Sequence, residues 1–184
     1  MRLFIAVTVP DDIKEQIVAL QSDLRSARAD IKWVEKDNFH VTLKFLGETA
    51  EEKLDGIVSA LSSALADIKP FALSFAGVGA FPGVRAPRVV WLGINEGKEQ
   101  LKEAAQRIDE TLSKLGFAKE IREFSSHATL GRLRSAKNRG ILAEKIQKYG
   151  EAAFGPFTVD HIDVMQSFLS PSGPRYQCLK SISI

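Results

Sequence analysis

The chain carries one pattern twice. Phe39-His40-Val41-Thr42-Leu43-Lys44-Phe45-Leu46-Gly47 alternates apolar and polar residues strictly from Phe39 to Phe45. Ser126-His127-Ala128-Thr129-Leu130-Gly131 repeats its His-x-Thr-Leu frame 127 − 40 = 87 residues later, close to half of the 184-residue length. A period of two is the signature of a β-strand with one buried face. Alternation directs Phe39, Val41, Leu43 and Phe45 toward a core and places His40, Thr42 and Lys44 together on the other face. An imidazole, a hydroxyl and an ammonium in one row can hold a phosphate and move a proton. Two of the three histidines lie in this frame. A lone strand histidine is ordinarily a hydrogen-bonded, half-buried residue, and threonine is simply a good strand former. The repetition is what asks for a chemical reading.

The remaining chain predicts strands and helices in alternation. Arg2 to Val9 reads as a strand ended by Pro10. Asp11 or Asp12 is set to cap a helix carrying Ile13, Ile17, Leu20 and Leu24 and fading near Arg28. Ile31 to Val34 is a short strand before the His40 strand. Thr49-Ala50-Glu51-Glu52 has the form of a capping box. It opens a second helix with Leu54, Ile57, Val58, Leu61 and Leu65 on one stripe, closed by Pro70. Phe71 to Phe81 is a strand, Pro82 to Pro87 an exposed loop, and Arg88 to Ile94 a strand buried on both faces. Asn95 is the expected cap of a third helix, with Leu101, Ala105, Ile108 and Leu112 inward and Gly116 as its stop. The second motif lies in Phe124 to Leu133, followed by a basic turn, Arg134 to Arg139. Ile141, Leu142, Ile146 and Tyr149 mark a fourth helix. Phe157 to Leu169 reads as one strand, Ser170-Pro171-Ser172-Gly173-Pro174 as a turn, and Tyr176 to Ile184 as the returning arm of a hairpin. One-sided strands favour an α+β fold with antiparallel sheet over a doubly wound parallel one. The offset of the motifs suggests two similar halves.

Bulk properties exclude more than they specify. A net charge of +2 permits an anionic partner without demanding one. Cys178 is alone, which leaves no disulfide framework or cysteine-rich metal site. The apolar run Leu3 to Val7 is too short for a secretory signal, and no stretch approaches the roughly 18 apolar residues of a membrane span. A cytoplasmic protein is expected, monomeric by default.

Two imidazoles facing each other across a pseudo-twofold axis suit general acid–base work near neutral pH. One takes a proton from an attacking water and the other gives one to a leaving oxygen, while the threonines donate to non-bridging phosphate oxygens. No metal is needed to build such a site. With no Asp or Glu in either motif, a metal's ligand set would be hard to complete.

These residues resemble the paired motifs of the two-histidine phosphoesterases, and most closely the RNA 2′,3′-cyclic phosphodiesterases, also called 2′-5′ RNA ligases. The resemblance spans nearly the whole chain. Arg2-Leu3-Phe4-Ile5-Ala6 is similar to the family's first strand, and Ser167-Phe168-Leu169 with Gly173-Pro174-Arg175-Tyr176 to its last hairpin. It implies a single domain over 1–184, built as two intertwined, pseudo-symmetric lobes of antiparallel sheet with outer helices around a central groove. The implied reaction is hydrolysis of an RNA 2′,3′-cyclic phosphate to a 2′-phosphate, with reversible 2′-5′ ligation of RNA ends such as tRNA halves. His40 would be the proton donor and His127 the proton acceptor, with Thr42 and Thr129 on the phosphate. No cofactor is implied, in keeping with the lack of a Gly-x-x-x-x-Gly-Lys loop. Relatives commonly have Pro where this chain has Ser126. Arg132 matches a phosphate-binding arginine, yet simple alternation puts it on the face opposite His127. Either Gly131 permits a bulge that re-aims it or its role is structural.

Other candidates are open. Lys44 could steer RNA or stand solvated. Arg85, Arg88, Arg132, Arg134, Lys137 and Arg139 could form a basic rim. Phe81, Trp33 and Tyr176 could stack a base, Tyr176 first among them, or pack in the core. His161 lacks a threonine partner and reads as structural. The competing functions are an RNA-end binding module of the same fold, and a phosphoesterase acting on small cyclic nucleotides or on 3′ RNA ends.

Overall fold

The computed structural model describes every residue except Ser172, which belongs to the turn expected at Ser170–Pro174 and lies outside the described residues. Among the described residues there are nine strands and four α-helices. In chain order they are β1 (Arg2–Thr8), α1 (Asp11–Arg25), β2 (Ile31–Trp33), β3 (His40–Glu48), α2 (Leu54–Leu65), β4 (Phe71–Phe81), β5 (Val89–Ile94), α3 (Lys98–Lys114), β6 (His127–Leu133), α4 (Arg139–Lys148), β7 (Ala153–Val159), β8 (His161–Ser170) and β9 (Gly173–Ser183). The strands form one curled antiparallel sheet in the order β7-β4-β5-β6-β3-β1-β8-β9, with β2 added to β6. The α+β reading from one-sided strands holds.

The two motif strands are central neighbours, joined through the pair Val41 and Ala128. Outward from them the order is symmetric: β1, β8, β9 on one side and β5, β4, β7 on the other. Each side borrows from the other half of the chain. β4 precedes the midpoint but sits beside β5, and β8 and β9 come last but flank β1.

Helical stripes cover one face of the sheet. Ile13, Ile17, Leu20 and Leu24 of α1, Ile57, Leu61 and Leu65 of α2, and Leu101, Ala105, Ile108 and Leu112 of α3 join Leu142 and Ile146 of α4 in one core with Ile5, Val41, Leu92 and Leu130 of the sheet. Burying one such leucine contributes about 1.5–3 kcal/mol. The opposite face carries a small buried apolar cluster, Phe4, Ala6 and Met165 with Tyr176 against it. That face is free for chemistry.

The structure corrects several local expectations. Pro10, not an aspartate, stands at the N-cap of α1. The capping box at Thr49 does not form; the Thr49 hydroxyl donates to Gly47 O, and a 3-10 turn over Glu51–Lys53 leads into α2. Gly97, in the left-handed region at φ 83°, precedes α3 in place of Asn95, whose amide is spent on Ser74 O. Gly116 does end α3, with Phe117 N returning to Leu112 O. Phe157 to Leu169 is two strands, broken at Asp160 and placed on opposite sides of the sheet.

The largest correction lies in β3. Against β1, Ala6 pairs with Thr42 but Ile5 with Lys44, so Leu43 is an extra residue, a β-bulge. Beyond it the alternation reverses. Lys44 turns into the helix-covered core at 2% exposure, and Phe45, expected inside, is 64% exposed. Lys44 is thus neither a solvated lysine nor a guide for RNA.

Candidate active site

Counting outward from Val41 and Ala128 in an antiparallel pair sets His40 opposite Thr129 and Thr42 opposite His127. The four side chains share the open face at the centre of the sheet. Each imidazole is oriented by a carbonyl two residues upstream. The His40 Nδ1–H donates to Asn38 O at 2.7 Å, and the His127 Nδ1–H to Ser125 O at 2.7 Å. This fixes both tautomers and leaves both Nε2 atoms for proton transfer. The Thr42 hydroxyl donates to His40 Nε2 at 2.9 Å. The Asn38 side chain is itself anchored on Pro174 O at 2.8 Å, which ties the His40 approach to the β8–β9 hairpin.

Aromatic rings enclose each histidine. Phe4 and Tyr176 have ring centroids 5.0 Å and 5.2 Å from that of His40. Phe81 and Trp91 lie 5.2 Å and 6.4 Å from His127. This packing explains the electrostatics. Burial is the main influence pulling His40 below the ordinary 6.5, resisted by its bond to Asn38 O and helped by the nearby His127. Burial likewise lowers His127, resisted by Ser125 O and helped by the Arg132 guanidinium.

Arg132 is where a second bulge puts it. Val90 pairs with Gly131 but Trp91 with Thr129, which makes Leu130 the extra residue of β6. Leu130 and Gly131 both turn inward, and Arg132 emerges exposed on the histidine side. Its charge is felt at His127 and also at the Tyr176 hydroxyl. Gly131 has no room for a side chain, since a Cβ would stand 2.9 Å from Ile31 Cδ1.

The other candidates separate. Phe81 and Tyr176 reach the histidines, whereas Trp33 is buried at 6% exposure under the Arg25 guanidinium. Arg85, Arg88, Arg134, Lys137 and Arg139 are exposed, and among the described residues only Arg132 of this group bears on a histidine's titration. His161 sits between Asp160, bonded to its Nδ1, and Asp163, away from the pair. Phe4 and Trp91 were missed. The signal was present: adding the motif offset to Phe4 gives 4 + 87 = 91, the position of Trp91. A recess of about 620 Å³, lined by Trp91, Lys98, Lys102, Phe124 and His127 among others, adjoins the second histidine.

Two tautomer-fixed imidazoles, each paired across the sheet with a threonine and joined by one arginine, define a class: an acid–base site for an anionic centre on a duplicated α+β scaffold. The comparisons place the chain within that class. A family model described as "LigT like Phosphoesterase" matches residues 7–91 and again 92–176, one copy per half. The chain belongs to this family. It is 41% identical over 180 residues to the RNA 2′,3′-cyclic phosphodiesterase of Methanocaldococcus jannaschii, covering 98% of this chain and 99% of that one. To the Archaeoglobus fulgidus protein of the same name it is 43% identical over 180 residues, covering 98% of each. Among solved structures, Thermus thermophilus TT0787 superposes with a TM-score of 0.80 at 28% identity, over 100% of this chain and 97% of that one. Escherichia coli LigT complexed with 3′-AMP gives 0.76 at 26% identity, over 100% and 97%.

Proposed function

We propose that this chain, acting as one catalytic unit over its 184 residues, hydrolyses RNA 2′,3′-cyclic phosphate ends to 2′-phosphomonoesters. The observation that carries the reading is the pair of Nε2 atoms turned to the open face, on opposite sides of a pseudo-twofold axis, by the bonds from Nδ1 to Asn38 O and Ser125 O, with the Thr42 hydroxyl on the His40 one in the free protein. The relatives' names supply the substrate class.

His127 Nε2 takes a proton from water as its oxygen attacks phosphorus. The bond from phosphorus to O3′ breaks, O2′ stays attached, and His40 Nε2 gives its proton to O3′. Arg132 beside His127 favours the neutral imidazole that a base requires, which supports this division of roles. Thr42 and Thr129 donate to the non-bridging oxygens, and the Arg132 guanidinium offsets their charge. Tyr176 stacks on the base of the terminal nucleotide in this reading, which its ring edge-on to His40 supports. When the 5′-hydroxyl of another RNA end takes the place of water, its oxygen attacks phosphorus, O3′ leaves with the same proton, and the ends are joined through a 2′-5′ bond that the reverse step cleaves; tRNA halves are the RNA ends proposed. No cofactor enters these steps. Among the described residues no helix is long and apolar enough to cross a membrane; action in the cytoplasm as a monomer is part of the proposal.

The test is incubation with a short RNA ending in a 2′,3′-cyclic phosphate, with excess EDTA, and identification of the product. A 2′-phosphate is expected. A 3′-phosphate would reverse the leaving group, and tight binding without turnover would make the chain an RNA-end binding module. Faster turnover of a mononucleoside cyclic phosphate than of the oligonucleotide would move the substrate class to small cyclic nucleotides.

A further inference from the structure

Among the described residues, five polar or charged ones are buried: Gln21, Asn38, Lys44, Thr49 and Asp163. Two of them, both in the first half of the chain, make the same kind of connection. Gln21 of α1 donates from Nε2 to Val34 O at 3.0 Å and to Leu130 O at 2.9 Å. Val34 lies on the approach to His40, and Leu130 is the bulge residue of the His127 strand. Lys44 adjoins the bulge of the His40 strand. Its Nζ donates to Asp109 Oδ1 of α3 at 2.6 Å and to Ala118 O at 2.7 Å. Ala118 lies on the approach to His127, and that segment is held again two residues on, where Glu120 N donates to Asp109 Oδ1 at 3.0 Å.

The pattern is reciprocal. The helix and approach segment before each histidine are fastened to the bulge of the other histidine's strand. Nothing in core packing asks for this. A buried ammonium loses its hydration, and an ion pair in such a place is often replaced by apolar residues at little cost in stability. Burial also works to raise the Asp109 carboxyl, yet Lys44 and the Glu120 amide outweigh it and hold the group below its ordinary 3.8. What these groups supply is direction: fixed donors on fixed acceptors, in surroundings that punish any shift. Among the described residues β3 and β6 share the single ladder pair Val41 and Ala128, and β2 with Val34 N on Leu130 O ties the His40 approach to β6 through backbone bonds. The side-chain bonds of Gln21 and Lys44 act beside these to set the spacing of the two imidazoles.

We propose that Gln21 and the Lys44–Asp109 pair are positioning residues, two crossed braces that set His40 and His127 against each other for proton transfer. This rests on the phosphoesterase reading for its catalytic consequence, while the geometric claim has its own readout.

The variants are Lys44→Met combined with Asp109→Leu, and separately Gln21→Leu. The first removes both charges, so its melting temperature stays near that of the parent. Loss of alignment on the ångström scale costs up to about 10²-fold, so its kcat on cyclic-phosphate RNA falls roughly 10–100-fold, with KM within about threefold. In parallel, NMR follows solvent exchange of the downfield imidazole Nδ1–H protons. The double variant speeds exchange at His127 and spares His40; Gln21→Leu does the opposite. Parental kcat and parental exchange in a folded double variant overturn the braces. Should the double variant not fold, Gln21→Leu decides by the same two readouts. If the parent itself lacks turnover, the phosphoesterase reading fails, and the exchange pattern still decides whether the braces exist.

Discussion

Both imidazoles are biased toward their neutral form in the free protein. Burial holds each below 6.5, with His127 adding to the effect at His40 and Arg132 at His127. A group whose protonation is penalised stays neutral to lower pH, so the proton that one member of the pair must carry is gained only on the acid side. The two sites titrate as a coupled pair, and the kcat/KM profile peaks between their apparent pKa values. The expected optimum therefore lies below about 6.5. Bound substrate brings a negative charge that favours imidazolium, so the kcat profile shifts to higher pH than the kcat/KM profile. Rates measured across pH 4–9, roughly the span that brackets histidine titration, check both; a kcat/KM optimum above 7 contradicts the stated causes. At this scale His40, Thr42, His127 and Thr129 were legible because spacing alone puts them on one face. Phe4 and Trp91 were not, because an aromatic residue in an apolar strand carries no mark of which face it takes.

The bulges are the elements that a period of two cannot reveal. One extra residue at Leu43 and one at Leu130 leave composition and strand propensity unchanged, yet they reverse the side chains that follow, in β3 as far as a further register shift at Leu46. That single effect moves Lys44 inward, Phe45 outward and Arg132 to the site. It also makes the halves unequal. Adding the offset to Phe45 gives 45 + 87 = 132, so one lobe presents a phenyl ring where the other presents a guanidinium. Strand β4 supplies a second device. Gly79 pairs with Trp91, and the indole lies across it, so that a Cβ there would collide with the ring. Gly79→Ala is expected to cost about 1–3 kcal/mol through overpacking and to push Trp91 off His127. Thermal unfolding and tryptophan emission test this; unchanged values for both would mean that the ring does not depend on the glycine. Helix interiors were read correctly from their stripes, but helix starts were not, because Gly97 offers a backbone solution that competes with the side-chain caps suggested by Asn95 and Thr49.

For the molecule as a whole, the 87-residue offset announced a duplication but not the exchange of strands that accompanies it. β4 of the first half completes the second lobe, while β8 and β9 of the second half complete the first. Strand exchange depends on which edges are free once both halves exist, information that lies in no local segment. Neither half of the chain holds a whole lobe. Residues 1–86 expressed alone should show no cooperative unfolding transition by circular dichroism, and mixing with 87–184 should restore one; a cooperative transition in either isolated half would show that the exchange is not needed for folding. The same architecture brings one histidine from each half to the axis, and the proposed mechanism makes catalysis a property of the pair. The most direct test is the single-turnover rate on cyclic-phosphate RNA for the parent, His40→Ala, His127→Ala and the double variant. Each single change is expected to slow cleavage about 10²–10⁴-fold. The double variant should be no slower than the worse single one, because groups that act as a unit are not additive. Parental cleavage by either single variant would contradict the two-histidine mechanism.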